Sequence, residues 1–593
     1  MVLLLLSAAA LGFPVVLPRL ARPYAGPPAW PGAVTFSGER AWADLGTLAT
    51  RFPRRWSGGP DRQAAAHWLA DRLTRIGLEG QRETFRAWMG GPSPTVLENI
   101  WALSPGTDRR NEIVVLVGNY DMAPTSFQAA SDTAGHVATI LELARVLTAV
   151  PHRRTLLFLF PDGEEWGMLG ARHFVRTYPQ RRQIVAALSI EDLDPGPLAA
   201  LGIDGIGQFR GFAPAWLRAL AADAALREGY RTDEVPPVLE WIQRSLLISS
   251  TDQGPFLGAG IPAIDLAGRT DDAVLKARVY HLPEDTIEHM QPASLLAYGR
   301  IQERIVRAID TLSVVPSEES VYLRLGPGLV VPSWPLCAVQ VVVFAPLAAA
   351  LALRWRPGQA PPGVMGQEVL RAGAVLGVLL VWVVTIKLLP WLGLLPRYAL
   401  YAPPPRHPLL TGVLWPAVVV SLAVLAAAAL GGRLLLPRRP AAGPEEVEHR
   451  VGALLGVLAL LVVVTLAANP FAAVTFLLPP ALLWIWIRMR PSTLGRAANA
   501  VLVAGGFTPV VLLLAQYAAT LQVGWYILWY VFLGIAYGQF TPVQVVPAFA
   551  TLAVGIRLLA VGVWAAHPIH LIVAAISSAT GFRTDARSPR RPG

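Results

Sequence analysis

IVVLVGNYDMAPTSFQAASDTAGHVATILELARVLTAVPHRRTLLFLFPDGEEWG, residues 113 to 167, decides the fold. Ile113 to Val117 is a short apolar run of strand character, and Thr133 to Val150 repeats its apolar residues at helical spacing. Thr155 to Phe160, TLLFLF, has no polar face, which is how a strand buried between two layers reads. Upstream, Ala65 to Ile76 reads as an amphipathic helix. Alternation of this kind predicts an α/β domain, an open and mostly parallel sheet covered by helices, over about residues 35 to 325. In such sheets ligands sit at the carboxyl ends of the strands, so chemistry is to be sought in the loops after Val117 and Phe160.

Both loops are acidic. The first, GNYDMAPTSFQAASDTAG from Gly118 to Gly135, puts Asn119, Asp121 and Asp132 between a strand end and a helix start. The second, PDGEEWG, carries Glu164 next to Glu165. SIEDLD (Ser189 to Asp194), SSTDQGPF (Ser249 to Phe256) and YHLPEDT (Tyr280 to Thr286) follow. An Asp, a Glu and a His offer oxygen and nitrogen ligands suited to zinc, with room for a water. A neighbouring free Glu can take that water's proton, the general-base half of metal-assisted hydrolysis. Adjacent glutamates allow this division because neighbouring side chains diverge. An isolated pair of glutamates is ordinarily a solvated surface charge, but five motifs in one fold context outweigh that reading. His136 and His173 fall on predicted helices, where packing explains them. HExxH, GxSxG and phosphate-binding glycine loops are absent from the sequence, so rival hydrolase and nucleotide-binding classes lack support.

ASDTAGHVATILELARVL followed by FLFPDGEEWGMLGARHF, with TDQGPFLGAGIPAIDL and YHLPEDT, resembles the zinc aminopeptidase and glutaminyl cyclase superfamily of co-catalytic exopeptidases, over about residues 45 to 310. The resemblance implies that Asp132 is a metal ligand, bridging where two zincs bind. It also implies that Glu164 is the general base and that Glu165 and His281 are ligands. Asp121 would be a carboxylate behind the metal, Asp285 would support the His281 loop, and Asp252 would lie beside the site in both branches. Membrane-bound members, including the secretory-pathway metallopeptidases of eukaryotes, look like this chain too.

One departure concerns Asn119, since the family's first strand ends in a His and GHYD is here GNYD. A neutral amide oxygen is a weak zinc ligand, and Asp121 loses the imidazole it would orient. The other ligand of that site would come from SIEDLD, where strand alternation puts Glu191 at the ligand position with Asp192 competing. One zinc site is thus complete, Asp132 with Glu165 and His281, while the second, with Glu191 and Asn119, is degraded. Three readings follow: an aminopeptidase that hydrolyses N-terminal residues of peptides, a glutaminyl-peptide cyclotransferase using one zinc, and a non-catalytic peptide-binding or scaffold protein.

The rest of the chain is of another kind. With 593 residues, 53% hydrophobic and 15% charged, it is neither a lone small domain nor a disordered chain. Apolar stretches of spanning length lie near 329 to 353, 369 to 390, 409 to 431, 450 to 468, 471 to 487, 498 to 519, 522 to 540 and 543 to 566. They predict an all-α membrane domain of about eight helices over 329 to 582 and a basic tail over 583 to 593. Only five acids but 18 basic residues follow residue 329, so the +10 net charge belongs to this half. Its arginines sit in short loops between apolar runs, which marks membrane topology and excludes a nucleic-acid footprint. With the front domain outside, the inside loops hold ten arginines and the outside loops only Lys387, Arg397 and Arg406. That asymmetry predicts a multi-pass protein with an extracytoplasmic catalytic domain. Residues 1 to 22 read as a signal peptide or membrane anchor. Arg19 and Arg22 after it favour the opposite orientation, but ten loop arginines outweigh two. Cys337 is the single cysteine, so no internal disulfide forms. The partners expected are a peptide substrate and the lipid bilayer; the sequence does not set the oligomeric state.

Overall fold

A computed structural model describes residues 17–89, 93–317, 320–326, 328–354, 363–397, 407–435, 444–473, 510–540 and 542–566. In chain order the strands are β1 (Arg22–Pro23), β2 (Gln81–Ala87), β3 (Thr95–Ser104), β4 (Arg109–Val117), β5 (Arg154–Phe160) and β6 (Ile184–Leu193). After them come β7 (Ala200–Asp204), β8 (Arg231–Asp233), β9 (Ala263–Arg269), β10 (Tyr322–Gly326) and β11 (Leu329–Pro332). Eight of these form one mixed sheet in the order β2-β3-β5-β4-β6-β9-β7-β8, and β1, β11 and β10 form a small separate one.

The expected strand–helix–strand unit is β4, the helix Gly135–Thr148, and β5. The centre of the sheet, β5-β4-β6-β9, is parallel throughout, whereas β2–β3, β3–β5 and β7–β9 pair antiparallel. Burial explains the difference. Every residue of β5 is buried, whereas β2 alternates half-buried and exposed residues along its whole length, as an edge strand does. Val114, Leu116, Leu156, Phe158 and Phe160 face one core, with the helices Gly38–Arg51, Gly135–Thr148 and Pro292–Thr311. The alternate residues Ile113, Val115, Val117, Leu157 and Leu159 face the other, with Phe174 and Phe256. From β4 the chain crosses to β5 on one side, then returns past β4 to β6 on the other. Sheet order therefore reverses beside the carboxyl end of β4, the place where such sheets open a crevice.

Three helices among the described residues are long and apolar enough to cross a membrane: Val364–Leu388, Trp415–Gly432 and His449–Ala468. The helices Ser333–Arg354 and Pro542–Ala566 carry shorter apolar stretches, Ser333–Ala345 and Gln544–Leu558. Val510–Thr520 and Gly524–Ala536 are two arms bent by 118°, a broken span or a re-entrant loop. They fall within the stretches expected as two separate spans, 498 to 519 and 522 to 540, of which 498 to 509 lies outside the described residues. The expected span 471 to 487 lies outside the described residues beyond 473, as do residues 1 to 16 and the basic tail.

The two halves are docked. Trp241 Nε1 donates to the Phe471 carbonyl at 3.1 Å, and Asn469 Nδ2 donates to the carbonyls of Arg244 at 2.9 Å and Ser245 at 3.3 Å. The Arg244 guanidinium lies 4.7 Å from the Phe212 ring centre and 5.4 Å from that of Phe471, so one cation is shared by aromatic faces from both halves.

Candidate metal centre

The loop after β4 is built under strain. Gln128 and Ala129 both adopt left-handed backbone, at φ 64° and 49°, and Asp132 breaks the first helical turn at φ −131° and ψ 86°. Non-glycine residues hold such conformations only where the surroundings fix them. Here the fixing group is Arg55, whose guanidinium is fully buried. It donates to the carbonyls of Tyr120 at 3.0 Å, Gln128 at 2.7 Å and Ala129 at 2.9 Å, and to Thr133 Oγ1 at 3.1 Å. Burial pulls its pKa down to about 10, against the opposing pull of Asp285, Asp132 and Asp121. Across the loop, Asp285 accepts the backbone N–H groups of Ser131 at 2.7 Å and Asp132 at 3.2 Å. The loop is thereby clamped from two sides, and the Asp132 side chain is aimed inward.

Three side chains named from the sequence meet there. Asp132, Glu165 and His281 are all buried and each offers a ligand atom within 4.8 Å of the other two. His281 Nε2 lies 2.9 Å from Asp132 Oδ2 and 3.3 Å from Glu165 Oε1. His281 itself sits in left-handed backbone at φ 56°, with the Tyr280 ring stacked 3.9 Å from its own. Two carboxylates and one imidazole, buried and convergent, are a donor set that fits zinc. Beyond His281, Glu165 Oε1 has no hydrogen-bond partner, which matches an oxygen reserved for a cation.

Glu164 stands beside this cluster, half-buried. Its carboxyl is pushed well up by burial and by Glu165, Glu191, Asp252 and Asp121 around it. Asp121 Oδ1 accepts the Glu164 N–H at 3.1 Å, so Asp121 fixes the backbone that carries the two glutamates. Asp121 is held in turn by Ser57 Oγ at 3.0 Å, and Ser57 is tied to Asp162 at 2.6 Å. Arg55, Ser57 and Asp162 were not singled out in the sequence. Arg55 and Ser57 belong to an unpatterned segment, RFPRRWSGG, where neither period nor motif distinguishes them.

Asn119 and Glu191 lie outside the three-residue cluster. The Asn119 amide donates to the Asp121 carbonyl and to Asp121 Oδ1, both at 3.3 Å, and its Oδ1 has no partner. Glu191 accepts from Ser189 Oγ at 2.7 Å and from the Asp252 N–H at 3.4 Å. Asp192 is the member of that pair with Asp132 among the charges that raise its pKa, after burial itself. Both Asp252 carboxylate oxygens lack hydrogen-bond partners, and burial pushes this group up to about 8.

Residues 99–306 match the family model for Peptidase family M28. This segment is an M28 peptidase domain. A vacuolar membrane protease of Candida albicans is 27% identical over 263 residues, which is 43% of this chain and 28% of that protein. The match therefore spans under a third of the length of that relative. The aminopeptidase YwaD of Bacillus subtilis is 25% identical over 202 residues, 33% of this chain and 40% of the relative. Among solved structures, a zinc aminopeptidase from Bacillus subtilis is 15% identical with a TM-score of 0.39, covering 46% of this chain and 95% of the other. A glutaminyl cyclase from Porphyromonas gingivalis is 19% identical with a TM-score of 0.40, covering 46% and 99%. All of the cluster residues, Asp132, Glu165 and His281, fall inside the M28 domain.

Proposed function

We propose that the protein is a membrane-anchored zinc exopeptidase that hydrolyses N-terminal residues of peptides on the extracytoplasmic side. The observation that carries this reading is the buried Asp132, Glu165 and His281 cluster with Glu164 next to it. Zinc held by these three would act as a Lewis acid on the scissile carbonyl and make water more acidic. Glu164 takes a proton from the attacking water as its oxygen bonds to the carbonyl carbon, then delivers that proton to the leaving amine as the C–N bond breaks. Its place on the cavity wall beside the cluster suits a group that must both take and release a proton. Asp121 keeps Glu164 in place through the backbone N–H, and Asp285 keeps Asp132 in place the same way. The acids on the cavity wall outnumber Arg269 and Lys276, which line it too, and the excess favours a protonated α-amino group, the feature that distinguishes an N-terminus.

A second reading, closure of an N-terminal glutamine with loss of ammonia, is favoured by Asn119, because a single Asp/Glu/His zinc is sufficient for it. Mass spectrometry of a peptide library with mixed N-termini, incubated with the full chain in detergent plus zinc, separates them. Stepwise loss of N-terminal residues is the expected result. Ammonia loss confined to N-terminal Gln peptides would replace it with the cyclase, and an unchanged library from folded, zinc-loaded protein would overturn both.

A further inference from the structure

We propose that the turn Ala519–Gln522, which belongs to the helical half, is a specificity-determining wall of the catalytic cavity. The inference rests on the peptidase reading above. A cavity of about 490 Å³ contains the Asp132, Glu164, Glu165 and His281 side chains, and its lining also includes Ala519, Thr520, Leu521 and Gln522. Its size is that of a small-ligand pocket. More than 230 residues of chain separate His281 from this turn, so the contact is a product of the docking of the two halves.

The turn is built to hold its shape. The first arm ends as the Leu521 N–H bonds the Tyr517 carbonyl at 2.9 Å and the Val523 N–H bonds that of Ala518 at 3.0 Å. Gln522 and Gly524 take left-handed backbone, both at φ 53°, and the second arm leaves at 118° to the first. Leu521 and Val523 are buried among Ile527 and Trp529, whereas Ala519, Thr520 and Gln522 are exposed. Anchored apolar residues thus alternate with small or polar ones free to meet a substrate. The Phe471, Asn469 and Gln544 contacts to the helix Pro237–Leu246 and the residue after it keep the helical half pressed on the front domain. The wall selects by size, since two of its exposed residues, Ala519 and Thr520, are small and leave room for a side chain of the bound peptide.

The test uses the full chain in detergent and peptides that differ only in the size of their first or second residue, from Gly to Trp. Ala519→Trp and Thr520→Trp are expected to lower kcat/KM for Phe and Trp peptides at least tenfold more than for Gly and Ala peptides, with zinc content unchanged. A uniform change across the panel, or none, would overturn the wall. A second readout needs no turnover: in a C337S background, a saturating Leu-peptide should slow thiol labelling of T520C at least fivefold. Protection without hydrolysis by the unsubstituted protein overturns the peptidase reading and upholds the wall. Hydrolysis with no protection and a uniform panel overturns the wall alone, and neither hydrolysis nor protection overturns both.

Discussion

Glu164 and Glu165 are adjacent in sequence and different in surroundings, and the proposed division of labour rests on that. Glu165 is 2% exposed and meets His281, whereas Glu164 is half-buried and lines the cavity. Glu164→Gln keeps the shape and removes the base, so turnover should fall by about 10²- to 10⁴-fold while zinc content by elemental analysis stays at the unsubstituted value. Loss of zinc along with activity would show that Glu164 is a ligand and not the base. Asn119 gives the complementary test. Its unpartnered Oδ1 sits on the carboxyl side of β4, and Asn119→His restores a nitrogen ligand where the amide is weak. Zinc per chain is expected to rise from about one to about two; an unchanged stoichiometry would mean that Glu191 and Asp192 do not complete a second site. At this scale the sequence was informative, because Asp132, Glu165 and His281, singled out through the family resemblance, do converge within 4.8 Å of one another. Whether Glu191 or Asp192 turns toward Asp132 was not legible, because both are acids on one strand end and β6 loses its regular register with β9 between Ile190 and Leu193.

The site is aimed by elements that carry no chemistry of their own. The strand–helix–strand unit was readable from two unbroken apolar runs flanking a helical spacing, and the runs are unbroken because β4 and β5 send alternate residues into two cores. The antiparallel flanks were not, because period reports burial and says nothing about strand direction. Nor was Arg55, whose function is the closure of one loop by hydrogen bonds to residues 65 to 78 positions away. Arg55→Met removes the donors and leaves the carbonyls of Tyr120, Gln128 and Ala129 buried without them. The expected cost is about 3 kcal/mol of stability, the scale for breaking charged hydrogen bonds in a core. Because the same loop carries Asp132, zinc affinity should also fall by about 10- to 100-fold. Thermal unfolding with and without zinc reads the first and a competition titration the second. A variant with unchanged zinc affinity would place Arg55 outside the positioning of Asp132.

The two halves of the molecule place their charges and aromatic residues differently, and that difference argues for an orientation. Trp334, Trp391, Trp415 and Trp525 are all more than half exposed, and they mark helix ends and the turn next to the catalytic cavity. Exposed tryptophans at such ends are what a membrane interface selects. At the other end of the helix Val364–Leu388, which Trp391 follows, Glu368 is buried and ringed by Arg371 at 2.8 Å and, from two further helices, Arg557 at 2.7 Å and Arg450 at 3.7 Å. Arg450 is also paired with Glu446 at 2.5 Å, so two carboxylates meet three guanidiniums and the cluster keeps one positive charge in excess, the sign that the proposed cytoplasmic side would carry. The loop arginines carry the same proposed orientation, but the sequence did not reveal that Arg557 closes an ion cluster from another helix. It read as an interruption in an apolar run because its partner Glu368 is 189 residues away. The orientation is testable in sealed cells with C337S chains carrying one new cysteine. Thr107→Cys, on an exposed loop of the front domain, should react with a membrane-impermeant thiol reagent before lysis, and Gln367→Cys, beside the buried Glu368, only after it. The reverse pattern would put the Asp132, Glu165 and His281 cluster in the cytoplasm and remove extracytoplasmic peptides from its reach.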